Sequence, residues 1–297
     1  MSPRLAVVAI LAAMVIYGLN FGVTRLGTMY GLTPSDLVAF RFLVAGPLML
    51  PIFARHGFLT CAGLGWGKGI ALGVTSGAVM TLCMNTGLSL APAAHGAAMG
   101  PGTVTTIGIV YGVIASRSPP RLAVLGGLAA IFTGLTAIAV TGSTEGSSNV
   151  LLGDMFFVLT GLLWGFYPIM LHRWRVEPMV SAAIVSVLSM AYLPIWLAGG
   201  VSHLAQVPIW MILAQAVFQG LLNVILGLWL WGHAVKTLGA ARTQLFPPLI
   251  PVLGTVFAIP ILGEVPGPIQ WLGLLLIVGG ILVSLLGSRT RVPVPKQ

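Results

Sequence analysis

Residues 120–141 read PRLAVLGGLAAIFTGLTAIAVT and residues 266–287 read PGPIQWLGLLLIVGGILVSLLG. Each is an apolar run with no acidic side chain, and about 20 such residues cross ~30 Å of hydrocarbon as a helix. The two runs also align with each other. At an offset of 146 residues, Pro120 meets Pro266, Gly127 meets Gly273 and Gly134 meets Gly280. Outward from this pair, Pro101 meets Pro247 at the same offset, and Tyr17-Gly18 meets Trp164-Gly165 at an offset of 147. A span that returns with its punctuation intact points to a duplicated unit.

The rest of the chain reads the same way. Of 297 residues 57% are hydrophobic and only 6% charged, with a mean hydropathy of +1.03. A soluble domain needs about a quarter charged residues to cover its surface; a chain facing lipid does not. Ten apolar segments follow, at about 5–26, 34–54, 66–89, 93–115, 121–141, 151–172, 178–198, 208–232, 240–262 and 266–287, separated by short loops rich in Pro and Gly. The run from Leu5 to Val23, after Arg4, reads as the first span and not as a signal peptide, because no small-residue cleavage site follows it. The expected fold is an all-α membrane protein of ten transmembrane helices in two five-helix repeats, 1–142 and 150–288, with a short tail at 289–297.

Charge gives the orientation. With a cytoplasmic N-terminus, 12 of the 14 Lys and Arg residues fall inside: Arg4, Arg55, Lys68, Arg117, Arg121, Arg173, Arg175, Lys236, Arg242, Arg289, Arg291 and Lys296. Only Arg25, at the outer end of the first span, and Arg41, inside the second, do not. Both termini are therefore expected in the cytoplasm, by the positive-inside rule. Lysines and arginines scattered between apolar runs are a topology signal, so the +9 formal charge does not point to nucleic acid. Five spans per repeat is an odd number, so the second repeat must enter the membrane inverted. Inverted repeats typify secondary transporters, whose site lies between the halves.

The aromatic-Gly pairs Tyr17-Gly18 and Trp164-Gly165, Pro34 before a helix carrying Arg41, and Gly263-Glu264 before the last span resemble the EamA-like drug/metabolite transporter superfamily. Within it the chain is most similar to the YddG-type bacterial amino-acid exporters. That resemblance implies export of aromatic and other neutral amino acids across a bacterial inner membrane. One departure is that the first half has Arg117-Ser118 where the second has Gly263-Glu264.

Candidate site residues come from polar or aromatic groups at depth. Gly65, Gly69, Gly73 and Gly77 make a bare face on the third span, whereas their repeat-mates in the eighth are Met211, Gln215, Gln219 and Asn223. Amides are costly against lipid, so that stripe must face protein or water. Gln219 and Asn223 are the better cavity candidates. Tyr17 with Asn20, and Trp164 with Tyr167, are each three apart and share a helix face. Together with Met80, Met84, Asn85 and Met99 these form the expected amino-acid site, with apolar walls and a polar head contact. Pro101, Pro168 and Pro247 are expected hinges or helix breaks. Arg41, ~10 Å into its helix, is expected to be structural, bonding backbone carbonyls or Asp36, with a counter-charge for a substrate carboxylate as the alternative.

Asp36, Glu145, Asp154, Glu177 and Glu264 all fall near segment ends, which argues against a proton-driven exporter of cationic drugs. Such an exporter, or one for other metabolites, is the alternative reading. A membrane scaffold or enzyme is the second, although no HExxH stretch or paired Asp appears at depth. His95 and His233 read as interfacial. Cys61 and Cys83 are not expected to pair, no metal-ligand spacing occurs, and no cofactor is implied. Oligomeric state is open, and a monomer suffices.

Overall fold

A computed structural model describes residues 3–116, 120–144, 148–238, 243 and 246–287. Among these the chain is all-helical: α1 (Pro3–Met29), α2 (Pro34–Arg55), α3 (Trp66–Leu90), α4 (Ala93–Ser116), α5 (Leu122–Thr144), α6 (Ser148–Trp174), α7 (Pro178–Ala198), α8 (Ile209–Leu238), α9 (Leu249–Leu262) and α10 (Pro268–Gly287). Nine of these are long and apolar enough to span a membrane, and α9 is a shorter apolar helix. Arg117, Ser118, Glu145, Arg242 and the tail with Arg289, Arg291 and Lys296 lie outside the described residues.

Among the described residues of the span expected over 240–262, Thr243 is helical, and a shorter apolar helix, Leu249–Leu262, follows a turn at Phe246–Pro248. Pro247 and Pro248 have no N–H to donate, and each disfavours helical backbone in the residue before it.

The two halves meet with two-fold symmetry that the glycines make visible. A Cβ on Gly127 of α5 would lie 2.6 Å from the Gly280 carbonyl of α10, and one on Gly280 would lie 2.5 Å from the Gly127 carbonyl. Gly134 and Gly273 face each other in the same reciprocal way, at 2.5 and 3.0 Å. When residue i touches the mate of j, and j the mate of i, a two-fold axis relates the partners. Farther in, Gly18 of α1 lies against Leu253 of α9 as Gly165 of α6 lies against Ile107 of α4, and Leu253 and Ile107 are themselves mates. Small residues drive this packing because lipid supplies no hydrophobic contrast between helices, so close backbone approach must supply the cohesion.

α7 carries a 3-10 turn at Met190–Tyr192, and two further irregular helices are mates of each other. α3 breaks at Gly77 into Trp66–Ser76 and Ala78–Leu90. The Ser189 hydroxyl of α7 fills the break, accepting from the Ala78 amide at 3.0 Å. A side chain at Gly77 would collide with that hydroxyl and with the Gly73 carbonyl. α8 widens to a π-helix over Val217–Leu226, a stretch that contains Asn223, the mate of Gly77. The prolines behave differently from expectation. α4 runs unbroken through Pro101 and α6 through Pro168, so neither interrupts its helix, and Pro247 precedes its helix.

Candidate functional site

At mid-depth, α1, α2, α3 and α8 converge on one arginine. Arg41 of α2 is only 9% exposed. Its Nη2 donates to Gln219 Oε1 of α8 at 2.8 Å and to Asn20 Oδ1 of α1 at 3.3 Å, and its Nη1 donates to Thr81 Oγ1 of α3 at 3.4 Å. Gln219 in turn donates to Thr24 Oγ1 at 2.7 Å, and Asn223 donates to Asn20 Oδ1. Gln215 continues the stripe, donating to the Val23 carbonyl at 2.5 Å. A π turn takes more residues than an α turn, so amides spaced by four stay aligned towards α1 across the widened segment. Gly220 lets α8 approach α2 at this level; its Cβ would collide with Val44 and sit 3.0 Å from the Arg41 carbonyl.

Arg41 does not bond Asp36 or a backbone carbonyl, as the sequence suggested. Asp36 is taken instead by Thr33, by Trp196 Nε1 at 2.8 Å and by His203 Nε2 at 2.8 Å. Every group that Arg41 contacts is neutral, and its Nε is buried with no acceptor. Among the described residues no carboxylate forms an ion pair with it. A buried guanidinium without a counter-anion is costly, and its fork geometry suits a carboxylate.

The other expected residues separate into two groups. Tyr17 sits one helical turn from Asn20, its ring against Gly227 of α8. Met80 and Met99 are buried, and Met84 packs on the core cluster that holds Met99. Asn85 is buried but turns away from Arg41 to donate to the Pro34 carbonyl at 3.4 Å. On α6, Met155, Leu159, Leu162 and Phe166 form an exposed stripe that would face lipid. At about 100° per residue Trp164 lies on the opposite, protein-facing side. It is nevertheless 38% exposed, flanked by Gly165 against Ile107 of α4 and by Tyr167 bonded to Ser181 of α7 at 2.9 Å. Trp164 is thus accessible on the side of α6 that faces the other helices. Pro168 has no N–H, which leaves the Trp164 carbonyl without its helical donor.

Sequence reasoning missed the partners that close one end of the bundle. Arg25 pairs with Glu264, and donates to the Leu88 carbonyl at 2.7 Å. Glu264 also accepts from the Ala93 amide at 2.9 Å. This clasp joins the end of α1, the α3–α4 turn and the α9–α10 loop. All three ion pairs among the described residues lie at this end. Thr24 was the most legible omission, being four residues after Asn20. Thr81 became relevant only once α3 was seen to cross Arg41.

The fold and the site define a membrane transporter. The profile of the EamA-like transporter family matches twice, over residues 4–140 and 151–286, and the chain belongs to that family. It is similar to a probable amino-acid metabolite efflux pump of Salmonella typhimurium, 24% identical over 293 residues covering 95% of each chain. It is also similar to an uncharacterized transporter of Archaeoglobus fulgidus, 21% identical and covering 91% of this chain and 94% of that one. The uncharacterized transporter YetK of Bacillus subtilis is 23% identical over 96% of this chain and 88% of its own. A solved crystal structure shares the fold, with a TM-score of 0.62 at 18% identity, covering 97% of this chain and 100% of the other.

Proposed function

We propose that this protein exports amino acids, aromatic and other neutral ones, across a bacterial inner membrane by alternating access, and that Arg41 receives the solute carboxylate. The observation that carries the reading is the buried Arg41 guanidinium, bonded only to neutral groups contributed by both halves and with a free Nε. A carboxylate is the natural partner for a guanidinium fork. Asn20, Gln219 and Asn223 hold the head group, and Tyr17, Trp164 and Met84 line the path of the side chain. The repeats 1–142 and 150–288 rock about this level. The clasped end faces the periplasm, both termini are cytoplasmic, and the accessible Trp164 belongs to a form facing the cytoplasm. Pro101, Pro168 and Pro247 take up the bending between forms.

Reconstituted vesicles preloaded with labelled phenylalanine test this. Release above that of protein-free vesicles is expected for phenylalanine and not for its amide, which lacks the carboxylate. Equal release of both, or of neither, refutes the carboxylate reading. A cationic cargo is disfavoured because the charge at the centre of the cluster is itself a cation.

A further inference from the structure

The polar cluster at Arg41 leaves a second buried network unused. His95 near the start of α4 is 0% exposed and Asp154 near the start of α6 is 2% exposed. Their Nδ1 and Oδ1 atoms are 2.9 Å apart. On its other side His95 Nε2 lies 3.1 Å from Gln270 Nε2 of α10, and Gln270 Oε1 accepts from the Gly267 amide at 3.0 Å. An amide nitrogen can only donate, so His95 Nε2 is an acceptor and the ring proton sits on Nδ1, facing Asp154. The imidazole is then neutral, the carboxylate is charged, and the buried pair is one proton short of neutrality. Asp154 Oδ2 is buried with no partner, which marks the same deficit.

We infer that His95 and Asp154 form a proton-binding site whose filling releases the clasp between Arg25 and Glu264. The step balances simply: a hydronium ion entering from the cleft beside Gln270 gives its proton to His95 Nε2 and leaves as water, giving an imidazolium beside the Asp154 carboxylate. The protonated Nε2 can no longer accept from Gln270 Nε2, so the amide must turn its oxygen to the ring. That oxygen is the acceptor of the Gly267 N–H, and Gly267 lies three residues from Glu264 in the loop that holds the clasp. The cleft, of about 300 Å³, is lined by Arg25, Glu264 and Gln270, which puts open space at the far side of the amide. Histidine is the side chain whose ordinary titration range lies nearest neutrality.

Few other charges face this pair. Of the helices packed on α4, neither α5, α9 nor α10 carries a titratable side chain among its described residues. α1 offers Arg25, tied to Glu264; Tyr17 and Arg4 lie deeper and at the far end. α3 offers Cys83 and, at its far end, Lys68, while the remaining groups of α6, Tyr167, His172 and Arg173, lie near its other end. His95 belongs to one repeat and Asp154 with Gln270 to the other, so protonation acts across the line along which the halves separate.

The site presupposes the transport reading, but its test does not need a solute. Spin labels at Ser89 and Val265, both exposed at the clasped end, report its opening in reconstituted protein freed of Cys61 and Cys83. The expected result is a longer label distance at pH 5 than at pH 8, lost in both His95→Gln and Asp154→Asn. A distance that does not change with pH in the parent protein overturns the proposal, as does a pH response retained in both variants. In the vesicle assay, an outside-acid gradient should change phenylalanine release at least about threefold in the parent and not in His95→Gln. Absent release with a pH-dependent distance would sink the cargo assignment while leaving the proton site standing.

Discussion

α8 and its mate α3 are the same piece of architecture used twice, and they carry opposite chemistry. In α8, Gln219 and Asn223 donate to Thr24 and Asn20 of α1, and Gln215 donates to the Val23 carbonyl. In α3 the corresponding positions are Gly69, Gly73 and Gly77, and these lie against Cys61 and against Leu188 and Ser189 of α7. Arg41 in α2 has Val187 of α7 as its mate. Duplication therefore preserved the backbone path while polarity collected on one side. A symmetric frame can move about its axis in two equivalent ways, whereas the buried charge of Arg41 belongs to one half alone. The mated irregular helices make the same point. At mated positions α3 is opened by a glycine and α8 by a π turn, so both lose regular hydrogen bonding near the level of Arg41 by different means. Interruptions at corresponding positions of two inverted halves are the recognised mark of a transport site.

The sharpest way to break this comparison is to remove the charge. Arg41→Leu should lower phenylalanine release at least about 100-fold, the rate equivalent of losing ~3 kcal/mol of charge-assisted hydrogen bonding, while Val187→Ala at the mated position should leave release within about twofold. Equal losses in both would mean that the halves share the binding task.

Next in size is the glycine that opens α3. Gly77→Ala forces a methyl onto the Gly73 carbonyl and the Ser189 hydroxyl, and should destabilise the protein by about 1–3 kcal/mol, read as a lower unfolding temperature in detergent. On the polar side, Gln219→Ala removes one acceptor and one donor and should weaken phenylalanine binding about tenfold in equilibrium titration, with the thermal midpoint changing less than for Gly77→Ala. The smallest effect belongs to Gly73→Ala. Its Cβ would meet Leu188 Cβ at 3.7 Å, an ordinary contact, so stability should hold or rise by up to about 1 kcal/mol. A large loss there would show that α3 has to slide on α7 during transport.

Ten spans could be read from the chain because each needs only length and apolarity, and both are local properties. The amide stripe of α8 was equally legible, since buried amides announce themselves by their cost. Its partners were not. Whether Gln219 faced water or Arg41 depended on how α2 crosses α8, which Gly220 permits and hydropathy does not register. The prolines mark no break for a related reason: a membrane helix absorbs a missing N–H at Pro101 or Pro168 without breaking, while α3 breaks at Gly77, where a neighbouring hydroxyl takes the Ala78 amide. His95 looked interfacial and Asp154 lay near a segment end, yet both are buried, with Gln270 of α10 against the His95 ring.

By itself the sequence determined the membrane class, the ten helices and the duplication, because apolar length and a fixed offset survive without knowledge of contacts. Only the tertiary structure decided that Arg41 stands among neutral groups, that Arg25 reaches Glu264 across 239 residues and that His95 meets Asp154. Electrostatic partnership depends on distance in space, and in a bundle of helices that distance is set by packing between spans far apart in the chain.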